Sequence, residues 1–290
     1  MEMIKRNAII MAAGTASRFV PLSNEYPKGL LEVKGEILIE RQINQLQEAG
    51  IEDITIVVGY KAEMFQYLKA KYGVDIVNNM DYYRYNNTSS IIQVIDKLSN
   101  TYICSSDNYF PKNVFLEEPT QSYYSALYAE GLTCEYCLTI DEKDNITGVQ
   151  VGGLNSWYMV GHVYFSSDFS EAFSKLLVKE YENEETRQGY WEDVYIRYLQ
   201  QLPLMKIHRY MAHDIEEFDS IDELRLFDDS YIYDTRSSVI KSIASQLSCS
   251  ESELYGFTRL KNEDNYIHFT FMRGEETYLY NDLKNKVVKI

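Results

Sequence analysis

The chain has 290 residues, 45% of them hydrophobic and 25% charged, the composition of a globular protein with room for a sizeable core. Lysine and arginine total 28 against 44 aspartates and glutamates, a net charge of −16, which argues against a nucleic-acid backbone or an anionic membrane as partner because both are held by basic contacts. Five prolines and 14 glycines argue against disorder or a collagen-like repeat.

Lys5-Arg6 and the apolar run after it imitate a signal peptide, but the run is too short and leads straight to Arg18. No stretch approaches the roughly 20 apolar residues of a membrane span. Residues 7–13 read as a short apolar strand. Residues 38–49 place Leu38, Ile39, Ile43 and Leu46 at helical spacing, with Gly50 as the stop. A β-branched strand over 53–60 follows, then a helix over 61–71, a strand over 74–77 and a helix over 88–98. A strand over 102–105 ends at Ser106-Asp107-Asn108. Strand and helix alternating at this pitch imply right-handed crossovers and a parallel sheet.

The texture then changes. Strands are expected over 122–129, 135–140, 146–151 and 157–165, with Asp144-Asn145 as a turn. Helices over 168–182 and 191–199, a strand over 204–210 and a capped helical turn over 220–227 complete this half. Beyond Asp228 the chain restarts with an amphipathic helix over 237–247 and a hairpin, 266–271 and 277–280, around Arg273-Gly274-Glu275-Glu276. The polar stretch 228–236 predicts a boundary near 230, so that a cut there would leave a folded, active first domain. The four cysteines are Cys104, Cys134, Cys137 and Cys249. Cys134 and Cys137 lie three apart in an expected strand and so face opposite sides, which disfavours a shared metal. Reduced thiols and a cytoplasmic protein are the expectation.

The richest segment is Ala12-Ala13-Gly14-Thr15-Ala16-Ser17-Arg18, followed by Lys28. A small-residue loop leaving the first strand of a parallel sheet can bring backbone N–H groups to phosphate oxygens, and a local cluster of donors can hold a phosphate against the net charge. With one glycine it is neither a dinucleotide fingerprint nor a Walker loop. Asp107 follows an apolar strand at the carboxyl edge, where ligands bind in open α/β folds, and a carboxylate there suits Mg²⁺. Each residue also has a bland reading. Asp107 could cap a turn, Glu192 and Asp193 could be an acidic first helical turn, and Asn87, Thr88 or Ser89 should cap the helix that starts near Thr88.

Taken together, AAGTASRFVPL…PKGLLEVKG…LIERQI resembles the signature of the nucleotidyltransferases that make NDP-sugars and CDP-alcohols. Within them it is most similar to bacterial choline-phosphate cytidylyltransferases. Val58-Gly59-Tyr60-Lys61, Tyr85-Asn86-Asn87-Thr88-Ser89-Ser90, Ser106-Asp107-Asn108-Tyr109 and Tyr190-Trp191-Glu192-Asp193 match in order. Ala16 departs from the pattern, where many relatives have a second glycine. The resemblance implies a Rossmann-like, GT-A-like α/β fold, a mixed sheet flanked by helices, over residues 1–230. A small α+β extension would occupy 231–290, faintly resembling the opening of a choline-kinase-like lobe, and no chemistry is assigned to it.

The implied reaction joins CTP to phosphocholine, giving CDP-choline and pyrophosphate, with Mg²⁺ as cofactor. The attacking phosphate is already anionic, so no general base is required, and four scattered histidines (His162, His208, His213, His268) fit that. By the resemblance the loop from Ala12 to Arg18 binds the triphosphate, Arg18 takes the β- and γ-phosphates and Lys28 bridges the α-phosphate and the incoming phosphate. Asp107 holds the metal with Glu192, Asp193 being the rival for that second place. Asn87, Thr88 and Ser89 line the base pocket. Tyr136, Trp157, Tyr158, Tyr190 and Trp191 are the candidates for an aromatic box around a quaternary ammonium, although any one could equally be core. The rival substrates are 2-aminoethylphosphonate, phosphoethanolamine or a sugar 1-phosphate; the rival classes are a non-catalytic nucleotide sensor and an interaction scaffold. The partners implied are CTP and a small phosphorylated alcohol, without nucleic acid or membrane, and with self-association into a homo-oligomer left open.

Overall fold

The computed structural model describes residues 5–260, 268–281 and 284–290. It divides into two compact units. The first comprises the chain up to Gly14 together with Ile39–Glu217, and the second comprises Thr15–Leu38 together with Phe218–Ile290.

The first unit is built on a seven-stranded sheet: β1 (Asn7–Ala12), β2 (Asp53–Val58), β3 (Asp75–Asn78), β4 (Thr101–Ser105), β5 (Tyr123–Ile140), β6 (Ile146–Phe165) and β7 (Lys206–Arg209), in the spatial order β7-β5-β6-β4-β1-β2-β3. β4, β1, β2 and β3 are parallel, β7 pairs parallel with β5, and β6 runs against both of its neighbours. The mixed α/β sheet is the architecture expected. The central strands are mainly apolar because helices cover both faces of a parallel sheet: Ile9, Ile10, Ile56, Val57 and Val58 are all buried. The helix Leu38–Glu48 buries the expected stripe of Leu38, Ile39, Ile43 and Leu46.

Some elements differ from the sequence reading. The helix expected over 61–71 is a 3-10 turn, Ala62–Phe65, followed by the helix Tyr67–Tyr72, which Gly73 ends in the left-handed region. The helix expected over 88–98 stops at Ile92, with a 3-10 turn at Ile95–Lys97. The four strands expected between 122 and 165 are two long ones, β5 and β6, joined across Asp141–Asn145, where the Asp141 carboxylate accepts from the Lys143 and Asn145 amides. Small and polar residues at Ala129–Leu132 and around Gly152 looked like breaks. They are register shifts within continuous strands, with Gly131, Gly152 and Asn155 at positive φ bending the ladder rather than ending it.

The second unit gathers the short helix Leu22–Glu25, a 3-10 turn at Lys28–Leu30, a two-residue ladder between Glu32–Val33 and Glu36–Ile37, and the helices Ile221–Phe227, Ser230–Tyr233 and Ser238–Leu247. Ser220 and Ser237 cap two of these helices through their hydroxyls. The expected C-terminal hairpin is the middle of a four-stranded antiparallel sheet, β8 (Tyr255–Arg259), β9 (His268–Arg273), β10 (Glu276–Asn281) and β11 (Lys286–Lys289); Tyr266 and Ile267 lie outside the described residues. Phe257, Phe269, Phe271, Tyr278 and Tyr280 are buried and stack pairwise, with Phe269 and Tyr280 rings 5.0 Å apart.

The division differs from the linear boundary expected at 230. The physical reason is that residues 218–238 bond back to residues 18–34. Asp228 accepts from the Lys34 amide at 2.7 Å, and the Tyr231 hydroxyl donates to the Glu32 carbonyl at 2.7 Å. A cut at 230 would sever the second of these.

Candidate active site

β4 delivers Asp107 to the carboxyl edge of the sheet. Its turn is tied down by Gln42, a buried side chain on the helix Leu38–Glu48, whose amide donates to the carbonyls of Ser105 (2.7 Å) and Asn108 (2.9 Å). The Ser106 amide donates to the Met11 carbonyl, and the Ser105 hydroxyl donates to the Asp107 carboxylate itself. Antiparallel pairing of Asn108–Tyr109 with Glu216–Glu217 places Glu217 opposite Asn108. The same edge carries Ala12 and Ala13, both buried, and the exposed Gly14. Gly59 allows the neighbouring loop to approach them: a Cβ there would lie 2.9 Å from the Ala13 carbonyl and 2.6 Å from Tyr82 Cβ.

Two matched segments are fastened to each other in this unit. The Asn87 side chain donates to Glu192 (3.1 Å) and accepts from the Trp191 amide (2.9 Å). The Thr88 hydroxyl donates to the Gly189 carbonyl, and Ser89 bonds the Asn86 carbonyl and Asn79. The capping role expected for one of these three is not made. Asn87 stands at the N-cap of the helix Thr88–Ile92 without a side-chain cap bond, because both ends of its amide are committed to residues 191 and 192. Thr88 and Ser89 are fully buried; their hydroxyls hold the chain rather than project from it.

Glu192 and Asp193 open the helix Trp191–Tyr198. Each of their four carboxylate oxygens accepts a hydrogen bond from the protein. Glu192 takes Asn87 and the Tyr124 hydroxyl (3.3 Å), and Asp193 takes the Tyr136 hydroxyl (3.0 Å) and the Tyr190 amide (2.8 Å). Burial pushes the Glu192 carboxyl up to about 7, against the hydrogen bonds from its own backbone amide, Asn87 and Tyr124 that favour its charge. Because the folded state then binds a proton that the unfolded state has released, this group's contribution to stability is full at acidic pH and is lost as pH rises from the ordinary carboxylate range through about 7. Between about pH 5 and pH 8, the melting temperature of the wild type should therefore fall more steeply than that of Glu192→Gln. Parallel curves in a pH series of thermal melts would refute it.

The five aromatic residues expected around an ammonium separate. Trp191 is 3% exposed; its ring stacks on Tyr124 (6.0 Å) and meets Phe165 and Phe173 edge-on. It is core, because the first turn of its helix faces inward onto the sheet. Trp157 packs against Tyr128 at 5.3 Å, with the Arg209 guanidinium 5.4 Å over its ring. Tyr136 and the exposed Tyr190 stay with Glu192 and Asp193. Tyr158 is half-buried, its hydroxyl held protonated by burial and by the charges of Glu135, Glu217 and Glu216.

In the second unit, the rest of the signature loop runs through Thr15, Ala16 and Ser17 to Arg18. Ala16 has φ +45°, the left-handed region that favours the glycine of relatives, so this chain accepts a strained residue at that turn. Arg18 is exposed and Lys28 almost buried, yet both meet one carboxylate, Asp219, at 2.6 Å and 3.6 Å. Sequence reading missed Asp219. The available signal was an acidic residue between buried Phe218 and the Ser220 cap, which reads as part of the cap.

A family model described as a MobA-like NTP transferase domain matches residues 8–124. A 2-aminoethylphosphonate cytidylyltransferase of Lancefieldella rimae is 37% identical over 80% of this chain and 96% of its own length. A choline-phosphate cytidylyltransferase of Streptococcus pneumoniae is 34% identical over 75% of this chain and 95% of its own. The solved CTP:phosphocholine cytidylyltransferase of Streptococcus pneumoniae superposes with a TM-score of 0.75 at 34% identity, covering 78% of this chain and 99% of that one. The chain belongs to this nucleotidyltransferase family. It is a cytidylyltransferase that acts on a phosphorylated small molecule.

Enzymes of this family use a divalent metal ion. Asp107 fits one: it is a hard oxygen donor on a braced turn, and the Asn108–Glu217 pairing brings a second carboxylate to the same edge. Glu192 and Asp193, expected to supply the second ligand, accept one protein hydrogen bond on each carboxylate oxygen, which leaves a second lone pair on every oxygen for a cation.

Proposed function

We propose that the chain transfers the cytidylyl group of CTP to phosphocholine. A phosphate oxygen of phosphocholine attacks the α-phosphorus in line, a new P–O bond forms, and the α–β bond breaks with its electrons leaving on pyrophosphate. The nucleophile arrives ionised, so alignment and charge neutralisation are the chemical task. Arg18 is the exposed cation that would take the departing phosphates, and buried Lys28 the fixed one that would span the α-phosphate and the incoming phosphate. In the free protein Asp219 neutralises both, and a triphosphate competes with it. A divalent metal held by Asp107 would add further neutralisation of phosphate charge.

The observation that carries the choice of alcohol is the hydrogen-bonded state of Glu192 and Asp193 beside Tyr136 and Tyr190. Such a pair sets carboxylates, each oxygen of which already holds one protein hydrogen bond, beside two tyrosine rings. A quaternary ammonium needs only a nearby carboxylate and ring contact, whereas a primary ammonium entering there must share acceptors that already hold a donor, at roughly 1–3 kcal/mol for each donor left unpaired. The second reading, 2-aminoethylphosphonate, is favoured by the acidic side chains of Glu135, Glu216 and Glu217 near Tyr158 and by the Lancefieldella relative. Catalytic efficiencies for phosphocholine, phosphoethanolamine and 2-aminoethylphosphonate, measured side by side with CTP, should favour phosphocholine by about tenfold or more. Preference for either primary amine would overturn the choline reading.

A further inference from the structure

The segment Thr15–Leu38 carries Arg18 and Lys28 but has little structure of its own: one four-residue helix, one 3-10 turn and a two-residue ladder. Elements this short do not hold their shape through local hydrogen bonds. Side chains that hold this one come from residues 227–238. Asp228 takes the Lys34 amide, and the Lys34 ammonium lies 4.8 Å from the Phe227 ring. Tyr231 bonds the Glu32 carbonyl, and Arg236, stacked 4.3 Å over the Tyr231 ring, reaches the Glu32 carboxylate at 3.3 Å.

The contact with the most hydrogen bonds is at Glu25, the last residue of the short helix. Its carboxylate accepts the Ser238 amide at 2.7 Å together with the hydroxyls of Ser237 and Ser238. It therefore closes the N-terminus of the helix Ser238–Leu247, where a negative charge is stabilised by the exposed N–H groups and the helix dipole. Side chains do not fill the space around this clasp. A cleft of about 240 Å³ runs between the two stretches, lined by Leu22, Tyr26, Leu30, Leu31 and Tyr231 among others. Polar contacts span this cleft beside the buried side chains of Leu22, Leu31 and Tyr231.

We infer that the clasp of Glu25 on Ser237 and Ser238 is a positioning device for the two phosphate-binding cations. Glu25 lies between Arg18 and Lys28 in the chain, and the clasp fixes the turn from which Lys28 projects toward Asp219. The C-terminal segment is then part of the nucleotide site's support. This rests on the reading of Arg18 and Lys28 as triphosphate ligands.

The test uses the full chain, with Glu25→Gln, the pair Ser237→Ala and Ser238→Ala, and Arg236→Ala as a milder change at a separate contact. CTP affinity is read by calorimetry, and both Michaelis constants by steady-state kinetics. Glu25→Gln and the serine pair should each weaken CTP binding by about tenfold, and Arg236→Ala by about threefold. The Michaelis constant for CTP should follow, while that for the second substrate moves less. Combining Glu25→Gln with the serine pair should be little worse than either alone, because both remove one interaction. A purely structural brace would lower the melting temperature and leave CTP affinity within about twofold of wild type; that result, in the clasp variants or in Arg236→Ala if the others fail to fold, overturns the inference. A wild-type chain that turns over CTP with no loss of affinity in Arg18→Ala and Lys28→Ala would instead refute the underlying assignment of the cations, and the inference with it.

Discussion

Asp107→Asn is expected to reduce turnover by on the order of 10²-fold or more while leaving the fold near normal, because an aligned metal contributes several kcal/mol to a phosphoryl transition state. The substitution keeps the shape of the side chain and removes its charge. The turn has braces that do not use that charge. Gln42 pins it through two backbone carbonyls, the Ser106 amide bonds Met11, and the Ser105 hydroxyl can donate to an amide oxygen as well as to a carboxylate. Melting temperature should therefore separate from activity, and steady-state rates at saturating Mg²⁺ with circular dichroism melts would show it. Near-full activity would remove Asp107 from the metal site.

Trp191→Ala has the largest expected effect on stability, a loss of about 3–5 kcal/mol, the usual cost of deleting a large buried aromatic side chain. The ring is enclosed by Tyr124, Phe165 and Phe173, and it joins the helix Trp191–Tyr198 to the sheet. Its loss would leave a cavity directly beneath Glu192 and Asp193. Folded variant protein should then show altered constants for both substrates alongside a lowered denaturant midpoint. The contrasting outcome is unchanged stability with a selective rise in the Michaelis constant for phosphocholine, as a box wall would give. That pattern would mean the indole meets substrate and the packing assignment is wrong.

Much of the first unit was legible because its signals are local. The buried β-branched runs of β1 and β2, the helical spacing of Leu38, Ile39, Ile43 and Leu46, and the Ser220 cap each depend on residues within a few positions. The ordered motifs from Ala12 to Asp193 were enough to name the family, since backbone loops that hold phosphates constrain residue type at fixed spacing. Other features could not be read this way. An aromatic residue in the first turn of a helix has the same sequence signature whether it lines a cavity or fills a core, so only packing placed Trp191 among Phe165 and Phe173. Likewise, small residues bend a ladder or end it according to the strand opposite, which is why four expected strands are two.

The sequence by itself determined the class of protein: alternating strands and helices, one phosphate loop, and Arg18, Lys28 and Asp107 as the residues on which the chemistry is proposed to rest. Tertiary structure alone decided what those residues lean on. Asp219 meets Arg18 and Lys28 across about two hundred positions of chain, and Tyr231 meets Glu32 across 199. Contacts of that separation carry no periodicity and no local propensity. They exist only once the chain has closed on itself, so the segment with the clearest motif belongs to the unit with the least legible sequence.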